Sequence, residues 1–136
     1  MKLLLIYCKE FRYTPTIKTV NNTSDDVLPG EFRNIQTAFI QVEEEDKENE
    51  GSVEKKLIKN LKWICGKNQS KEILLHSFAH LSESKADADF TKDFFNRVEQ
   101  RMAHAGYIAH QTPFGYFLDL QVDAPGFSLA RVFKSI

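Results

Sequence analysis

Apolar residues recur along this chain with two different spacings. Residues 53–64 and 90–102 have them three or four positions apart, as on one face of a helix. Short apolar runs of strand length occupy much of the remaining chain, at residues 2–7, 11–20, 35–42, 72–76, 107–112 and 116–122. This order of strands and helices predicts an α/β fold, in which a mixed β-sheet forms a sandwich with two main helices.

The beginning and the end of the chain predict strands of different kinds. Residues 2–7 are continuously apolar, which is typical of a central strand covered on both faces. Residues 11–20 alternate loosely and contain Pro15, so we expect a separate strand near an edge, followed by a turn over residues 21–30. The tail, residues 127–136, alternates apolar and polar residues and predicts a strand, with a short helix as the alternative.

Capping residues indicate where the two helices begin and end. Ser52 is expected to cap the first helix, and Gly66 lies just past its last apolar residue. Ser84 or Asp87 is expected to cap the second helix, which Gly106 ends. Both helices would then present one apolar stripe to the sheet.

Length and charge limit the domain count and the partners. The 136 residues are 42% apolar and 27% charged, which indicates one globular domain over residues 1–136. The net charge is −1, so a polyanion would have to meet a local basic patch. One lysine stripe lies on the first helix and just beyond it, at Lys55, Lys59, Lys62, Lys67 and Lys71. It is either a surface for RNA phosphates or a solvated helix face.

Cysteine use and hydropathy indicate the compartment. Cys8 and Cys65 lie inside apolar segments without metal-ligand spacing, so we expect two buried thiols in a reducing compartment. No apolar run approaches the ~18 residues of a membrane span. Residues 1–9 are too short, and too soon followed by charge, for a signal sequence. We therefore expect a cytoplasmic protein with no membrane partner.

Two short segments hold the candidate functional residues. His80 follows a buried strand, where α/β folds present functional side chains, and a neutral imidazole could orient a water, bind a ribose hydroxyl or act as a base. The segment TPFGYF, residues 112–117, crowds three aromatic rings around a turn, so a flat ligand could lie against it. A structural histidine and a tight aromatic hairpin are the alternatives.

Several kinds of site have no support in the sequence. His76, His104 and His110 lack the spacing of a helical metal site, so no metal is expected. The chain has no G-x-S-x-G elbow, no P-loop, no C-x-x-C and no H-E-x-x-H motif. We therefore expect neither a covalent serine mechanism nor a cofactor.

Four segments together resemble a known family. MKLLLIYC, TAFIQVEEED, SFAHLSE and TPFGYF resemble, in the same order and with similar gaps, the amino-terminal editing domain of archaeal threonyl-tRNA synthetases. That domain is similar in fold to D-aminoacyl-tRNA deacylase. The resemblance runs from Met1 to about Ile136, and FAHLS followed by PFGY is its most specific part.

The resemblance implies an ester hydrolase that proofreads seryl-tRNA(Thr). A synthetase site that accepts threonine also admits serine, because a methyl-sized difference is worth only ~1–3 kcal/mol. A second site must therefore remove serine. In the family, main-chain groups and a ribose hydroxyl of the tRNA supply much of the chemistry, so the water attack is substrate-assisted.

The resemblance also implies site residues. His80 matches a histidine beside the substrate, and Ala79 matches the small residue next to it. Phe114 matches an aromatic residue near the terminal adenosine, and Tyr116 a retained tyrosine. Val42 matches an apolar pocket wall.

This chain departs from the family pattern at four positions. Phe117 and Leu118 stand where a tyrosine and a lysine are usual, so a phenol and an ammonium are lost. Ser77 replaces a proline, and Arg131 replaces a glutamate. The joint change at Leu118 and Arg131 motivates a hypothesis, in which the guanidinium of Arg131 compensates for the missing cation and acts in catalysis.

Partners follow from the resemblance too. It implies binding of the aminoacylated acceptor end of tRNA(Thr), a homodimer, and a synthetase catalytic body as a further candidate partner. The departures leave a second function open, a catalytically weak module that binds the acceptor end or supports dimerisation. An unrelated soluble α/β domain is the third alternative.

Overall fold

The computed structural model describes residues 1–136 and contains six strands and two α-helices. The elements, in chain order, are β1 Lys2–Lys18, β2 Gly30–Gln41, α1 Glu50–Lys67, β3 Glu72–Ser77, α2 Ala88–His104, β4 Ile108–Gln111, β5 Tyr116–Asp123 and β6 Arg131–Ser135. Two short 3₁₀ helices, Glu44–Asn49 and Ser128–Ala130, precede α1 and β6.

All six strands belong to one mixed sheet. Its order is β4-β3-β2-β1-β5, and β6 also pairs with β1. The strands β2, β3 and β4 are parallel, whereas β1 runs antiparallel to β2, β5 and β6. Because β5 pairs with the second half of β1 and β6 with its first half, both lie on the same side of β1. Because β2, β3 and β4 run in the same direction, their carboxyl ends lie at one common edge of the sheet.

The larger core lies between the helices and one face of the sheet. Leu3, Leu5 and Ile40 on that face are fully or almost fully buried, as are Leu57 of α1 and Phe94 of α2. Full burial of an aliphatic or aromatic side chain of this size contributes roughly 1.5–3 kcal/mol. The expected α/β sheet with two main helices is thus confirmed.

A smaller core lies on the other face. It consists of Cys8, Phe11, Ile35, Phe39 and Leu74. Cys8 and Phe11 are three residues apart and would lie on opposite faces of a regular strand. Asn34 lies on β2, opposite the stretch of β1 between these two residues. Its φ of 51° is a left-handed conformation, which breaks the regular alternation of side chains between the two faces. The second half of β1 thereby joins the smaller core.

The sequence-based prediction of two strands before residue 21 was wrong. Residues 2–18 form one strand, because the pairing with β2 continues in one register past Asn34 even though the side chains change the core that they face. Pro15 is accommodated beside a register shift between β1 and β5. The first helix also begins at Glu50, two residues before the expected cap Ser52. It ends at Lys67, so Gly66 lies inside the helix and not just past its end as expected.

The remaining expected ends agree with the structure more closely. The Asp87 side chain caps α2, since its Oδ2 accepts a hydrogen bond of 3.1 Å from the Phe90 N–H. Gly106, with a φ of 94°, follows the end of that helix. The tail contains both the expected strand and the alternative short helix, as β6 and Ser128–Ala130.

The amino terminus is held at the edge where the parallel strands end. The buried Met1 ammonium lies 2.5 Å from a Glu43 carboxylate oxygen and 3.0 Å from one of Asp46. Glu43 also accepts a 2.6 Å hydrogen bond from Ser82. Burial alone would raise the pKa of Glu43, but these bonds outweigh it and lower the pKa.

Candidate active site

A cleft of about 420 Å³ opens at the carboxyl ends of β2 and β3. One wall is the loop of residues 78–87, and the facing wall is the turn of residues 112–115 with the start of β5. Ligand sites of α/β proteins are usually found at the carboxyl ends of the parallel strands, because the loops that follow those strands lie side by side there.

Gln41 fastens the first wall. Its Oε1 accepts hydrogen bonds from the backbone N–H groups of Leu81 and Ser82, at 2.6 and 2.8 Å. Its Nε2 donates to the carbonyl oxygens of Ser82 and Ser84, at 2.9 and 2.8 Å. One buried amide thus makes four bonds to the loop. The cleft wall is consequently positioned by a strand residue and not by the loop alone.

Two backbone bonds complete this attachment. The Phe78 N–H donates to the Ile40 carbonyl at 3.0 Å, and the Ala86 N–H donates to the Val42 carbonyl at 2.9 Å. Both ends of the loop are therefore fixed to the end of β2.

His80 lies on this loop at the rim of the cleft. It is exposed, and its ring packs edge-on against Phe78, with centroids 5.0 Å apart and an interplanar angle of 69°. Ala79 is exposed beside it, and Ser77 is half-buried at the end of β3. The rim therefore combines an accessible imidazole with a small side chain.

His76 lines the interior of the cleft. It is 6% exposed, and its Nδ1 lies 2.9 Å from the Thr112 hydroxyl oxygen. The rings of Phe39 and Phe78 pack against it. Burial in these surroundings lowers the pKa of His76 to about 4. The imidazole is consequently neutral at neutral pH.

The His76 and Thr112 pair has the spacing of a base and a nucleophile, but its chemistry is unsuited to that role. A base with a pKa of about 4 takes a proton from a hydroxyl poorly at neutral pH. Thr112 is buried, and its N–H is bound to the Leu75 carbonyl at 3.1 Å. The pair therefore stabilises the fold of the cleft.

The facing wall is built by the turn before β5. Gly115 has a φ of 85°, and a Cβ at this position would lie 2.6 Å from Thr23, so a side chain here is excluded. Its carbonyl accepts a 2.7 Å bond from the Thr19 N–H. The Tyr116 hydroxyl donates to the Ser24 carbonyl. Tyr116 thus ties the turn to the loop after β1.

The structure brings together eight of the nine residues expected at the site. Those that line the cleft are Val42, Ser77, Ala79, His80, Phe114, Tyr116, Phe117 and Leu118. They come from three separate parts of the chain, which the fold assembles at one sheet edge.

Arg131 is the exception. It begins β6, where it pairs with Ile6, and its guanidinium donates a 3.1 Å hydrogen bond to the Pro125 carbonyl. It does not line the cleft. The hypothesis that Arg131 replaces the cation missing at Leu118 therefore has no geometric basis in this chain.

The cleft has a different cation, which the sequence did not indicate. Lys85 is the sole lysine or arginine among the lining residues, and it is exposed and makes no salt bridge. The neighbouring acid, Asp87, is paired with Lys47. Lys85 is therefore the uncompensated charge of the cleft.

Gln41 and Lys85 escaped prediction for different reasons. Gln41 lies in an otherwise apolar strand, and only its fourfold bonding to the loop shows its role. Lys85 is one of many lysines, and no spacing distinguishes it.

Other groups offer no reactive centre. Burial raises the pKa of Cys8 to about 11 and that of Cys65 to about 12, so both thiols stay protonated. No cluster of three or more histidine, cysteine or acidic side chains is placed to hold a metal ion. Neither helix is long and apolar enough to cross a membrane.

Comparison with solved structures supports the fold. The chain superposes over 100% of its length on c-Myc DNA Unwinding Element Binding Protein, with a TM-score of 0.73 and 11% sequence identity, and covers 99% of that chain. At this identity the likeness concerns the fold alone, and it shows that the mixed α/β architecture is shared over the whole chain.

Comparison of sequences identifies the family. The chain is 27% identical to a threonine–tRNA ligase of Thermococcus kodakarensis over 139 residues, and 26% identical to one of Methanoregula boonei over 136. Each match covers 100% of this chain but 22% of the relative, so the chain spans about one fifth of these curated relatives. The profile described as the archaea-specific editing domain of threonyl-tRNA synthetase matches residues 1–136, and the chain belongs to that family.

Proposed function

We propose that residues 1–136 act as one editing unit that hydrolyses the ester between L-serine and tRNA(Thr). The observation that carries this proposal is the cleft itself, in which five residues matched by the family resemblance and three that depart from its pattern meet at one sheet edge. A proofreading role in the cytoplasm, where aminoacyl-tRNA is used, is part of the proposal.

The cleft suits a small aminoacyl group attached to a flat base. Its volume of about 420 Å³ falls in the usual range for small-molecule sites. Phe114 and Pro113 offer an apolar surface for the terminal adenine. Ala79 and Ser77, on the opposite wall, leave room for the serine side chain. This orientation places the ester between the two walls.

The reaction needs one water and no covalent enzyme intermediate. The water oxygen attacks the ester carbonyl carbon, the bond from that carbon to the ribose oxygen breaks, and one proton of the water passes to the ribose oxygen. The products are serine and free tRNA. A neighbouring ribose hydroxyl of the substrate assists the proton transfer. The chain's contribution is positioning and stabilisation of the developing oxyanion.

His80 fits a role in substrate orientation. It is exposed at the rim and its ring is supported by Phe78, so it can donate or accept a hydrogen bond at the cleft mouth. His76 is held neutral within the cleft by burial and does not supply a charge.

Rejection of threonine is assigned to the size of the cleft. Threonine carries one additional methyl group, which must fit against Val42 and the walls or displace the water. A size difference of this kind is worth ~1–3 kcal/mol, or roughly 10- to 200-fold in rate.

Lys85 is proposed to stabilise the negative charge that develops in the reaction. We expect Lys85→Ala to reduce the rate of serine release about tenfold, because a cation aimed at a developing oxyanion stabilises the transition state more than the substrate. Lys85→Arg should retain most of the rate. Single-turnover hydrolysis of seryl-tRNA(Thr) measures both.

Lys92→Ala is the matched control for this prediction, because Lys92 is an exposed lysine of α2 that does not line the cleft. Equal rates for Lys85→Ala and Lys92→Ala would remove Lys85 from the proposal.

A homodimer is the second part of the proposal. Phe133 of β6 is 55% exposed and pairs with Leu4, which packs against the smaller core on the face away from the helices. Such an uncovered apolar face suits a second copy of the chain. A monomer in sedimentation equilibrium at micromolar concentration would exclude this dimer.

The alternative function is binding without efficient hydrolysis. Leu118 and Phe117 both line the cleft, and neither can donate a hydrogen bond to substrate or water. This chemistry favours an acceptor-end binding module if Lys85 does not supply the missing charge.

Blocking the cleft separates the two functions. We expect wild type to release serine from seryl-tRNA(Thr) well above a blank without protein, and Ala79→Trp to lose that release, because an indole would fill the space beside His80. Ala103→Trp, at an exposed position of α2, is the control and should behave as wild type. Release by wild type no faster than the blank would leave only the binding module.

A further inference from the structure

A second groove lies between α1 and the end of β6, outside the cleft. It has a volume of about 550 Å³, and its lining consists of three lysines and one tryptophan, Lys56, Lys59, Lys134 and Trp63, together with Asn60, Ser135 and Ile136. No residue of this groove lines the cleft. We call this site the basic groove.

The charges of the basic groove are not compensated. None of its lysines makes a salt bridge, and neither do Lys55 and Lys62 beside it on α1. The two acids on the same helix, Glu50 and Glu54, are bound instead by arginines of α2, Arg97 and Arg101. A positive patch therefore persists on a protein whose net charge is −1.

Trp63 adds a flat surface to this patch. Trp63 is 37% exposed, and the Lys134 ammonium lies 4.7 Å from the centre of the Trp63 ring. Aromatic rings beside lysines are the combination that binds RNA, because the ring stacks on a base or ribose while the ammonium groups meet phosphates.

The basic groove lies at the same sheet edge as the cleft. Ser135 of the groove pairs with Lys2 of β1, which pairs in turn with Gln41, a residue of the cleft. Two strand spacings separate Ser135 from Gln41, about 10 Å. At this edge the carboxylates of Glu43 and Asp46 are paired with the Met1 ammonium. One RNA can therefore contact both sites.

We propose that the basic groove binds the phosphate backbone of the tRNA whose aminoacylated end enters the cleft. This inference rests on the proposed function for the identity of the RNA. Lysine–phosphate contacts there would raise affinity without reading sequence, and would keep the acceptor end near the cleft.

The test compares two triple variants of equal charge. The first variant removes the three charges of the basic groove by Lys56→Ala, Lys59→Ala and Lys134→Ala. Lys9→Ala, Arg33→Ala and Lys92→Ala together remove three exposed cations elsewhere. Binding of uncharged tRNA(Thr) is measured by anisotropy of labelled tRNA from 50 to 300 mM salt. We expect about 100-fold weaker binding at 0.1 M salt for the groove variant, and a salt slope smaller by roughly 2–3.

Intrinsic fluorescence gives an independent reading, because Trp63 is the single tryptophan of the chain. Titration with tRNA should quench Trp63 in wild type and in the charge control. Equal affinity of the two triple variants, or an unchanged Trp63 signal at saturating tRNA, would overturn the proposal and leave the groove to a protein partner.

These measurements use uncharged tRNA, so they do not depend on hydrolysis. Failure of serine release in wild type with intact groove-dependent binding would refute the proposed function and leave the RNA surface standing.

Discussion

Gln41→Leu should lower serine release about 100-fold, because displacement of a positioning wall by about 1 Å can cost that much in rate. The substitution keeps the volume of the side chain close to the original. It removes the four hydrogen bonds that hold the loop of residues 78–87 in place. His80 and Lys85, which lie on this loop, would lose their fixed positions.

The same substitution should lower the free energy of unfolding by roughly 2–3 kcal/mol, because two backbone N–H groups and two carbonyls lose their partner in a partly buried site. Urea denaturation measures the stability, and single-turnover release at 20 °C measures the rate on folded protein. Gln100→Leu, at an exposed position of α2, is the control. Unaltered release by folded Gln41→Leu would show that the loop does not need this anchor.

The second large effect is expected on stability as a function of pH. Burial lowers the pKa of His76 in the folded protein to about 4, whereas the unfolded chain has the ordinary value of 6.5. Between these values the unfolded state binds a proton that the folded state does not. The contribution of neutral His76 to the free energy of unfolding is therefore fully present above about pH 6.5, and it is lost as the pH drops toward 4. The full loss is about 3 kcal/mol, and about 2 kcal/mol is lost by pH 5.

His76→Gln isolates this contribution, because the amide can still bond to Thr112 but does not titrate. Urea unfolding at pH 7 and pH 5 should show a drop in wild type that is about 2 kcal/mol larger than in His76→Gln. His104→Gln, at an exposed position at the end of α2, should keep the wild-type drop. The same drop in wild type and His76→Gln would contradict a neutral buried imidazole.

The positions of the helices and most strands were predictable, because local periodicity determines which face each element buries. Apolar residues of α2 recur at helical spacing, and Phe94, Val98 and Met102 are buried as the pattern predicts. The joining of the first two predicted strands was not predictable. It depends on the pairing with β2, which continues in one register past Asn34 and which no local pattern in residues 2–18 reveals.

The site divides in the same way. His80 and the turn around Gly115 could be predicted, because each lies in a short motif with its own chemistry. Arg131 was expected near Leu118 only because both positions depart from the family pattern. Their distance depends on which part of β1 each strand joins: Leu118 pairs with Pro15, and Arg131 pairs with Ile6. That choice is a long-range property of the sheet.

Lys85 and the basic groove show what the fold adds. The sequence indicated a lysine stripe on α1, and the structure brings Lys134 of β6 beside one lysine of that stripe, Lys59. The lysine that enters the cleft, in contrast, lies on a loop whose path is determined by Gln41. Charge was visible in the sequence, but its location relative to the cleft was not.

The most direct test of the central claim is the release of amino acid from tRNA(Thr) charged with serine, run beside tRNA(Thr) charged with threonine and a blank without protein at equal salt. A cleft that edits by size predicts serine release at least tenfold faster than threonine release. Release of both amino acids at the rate of the blank would contradict the claim, and equal fast release of both would refute its specificity.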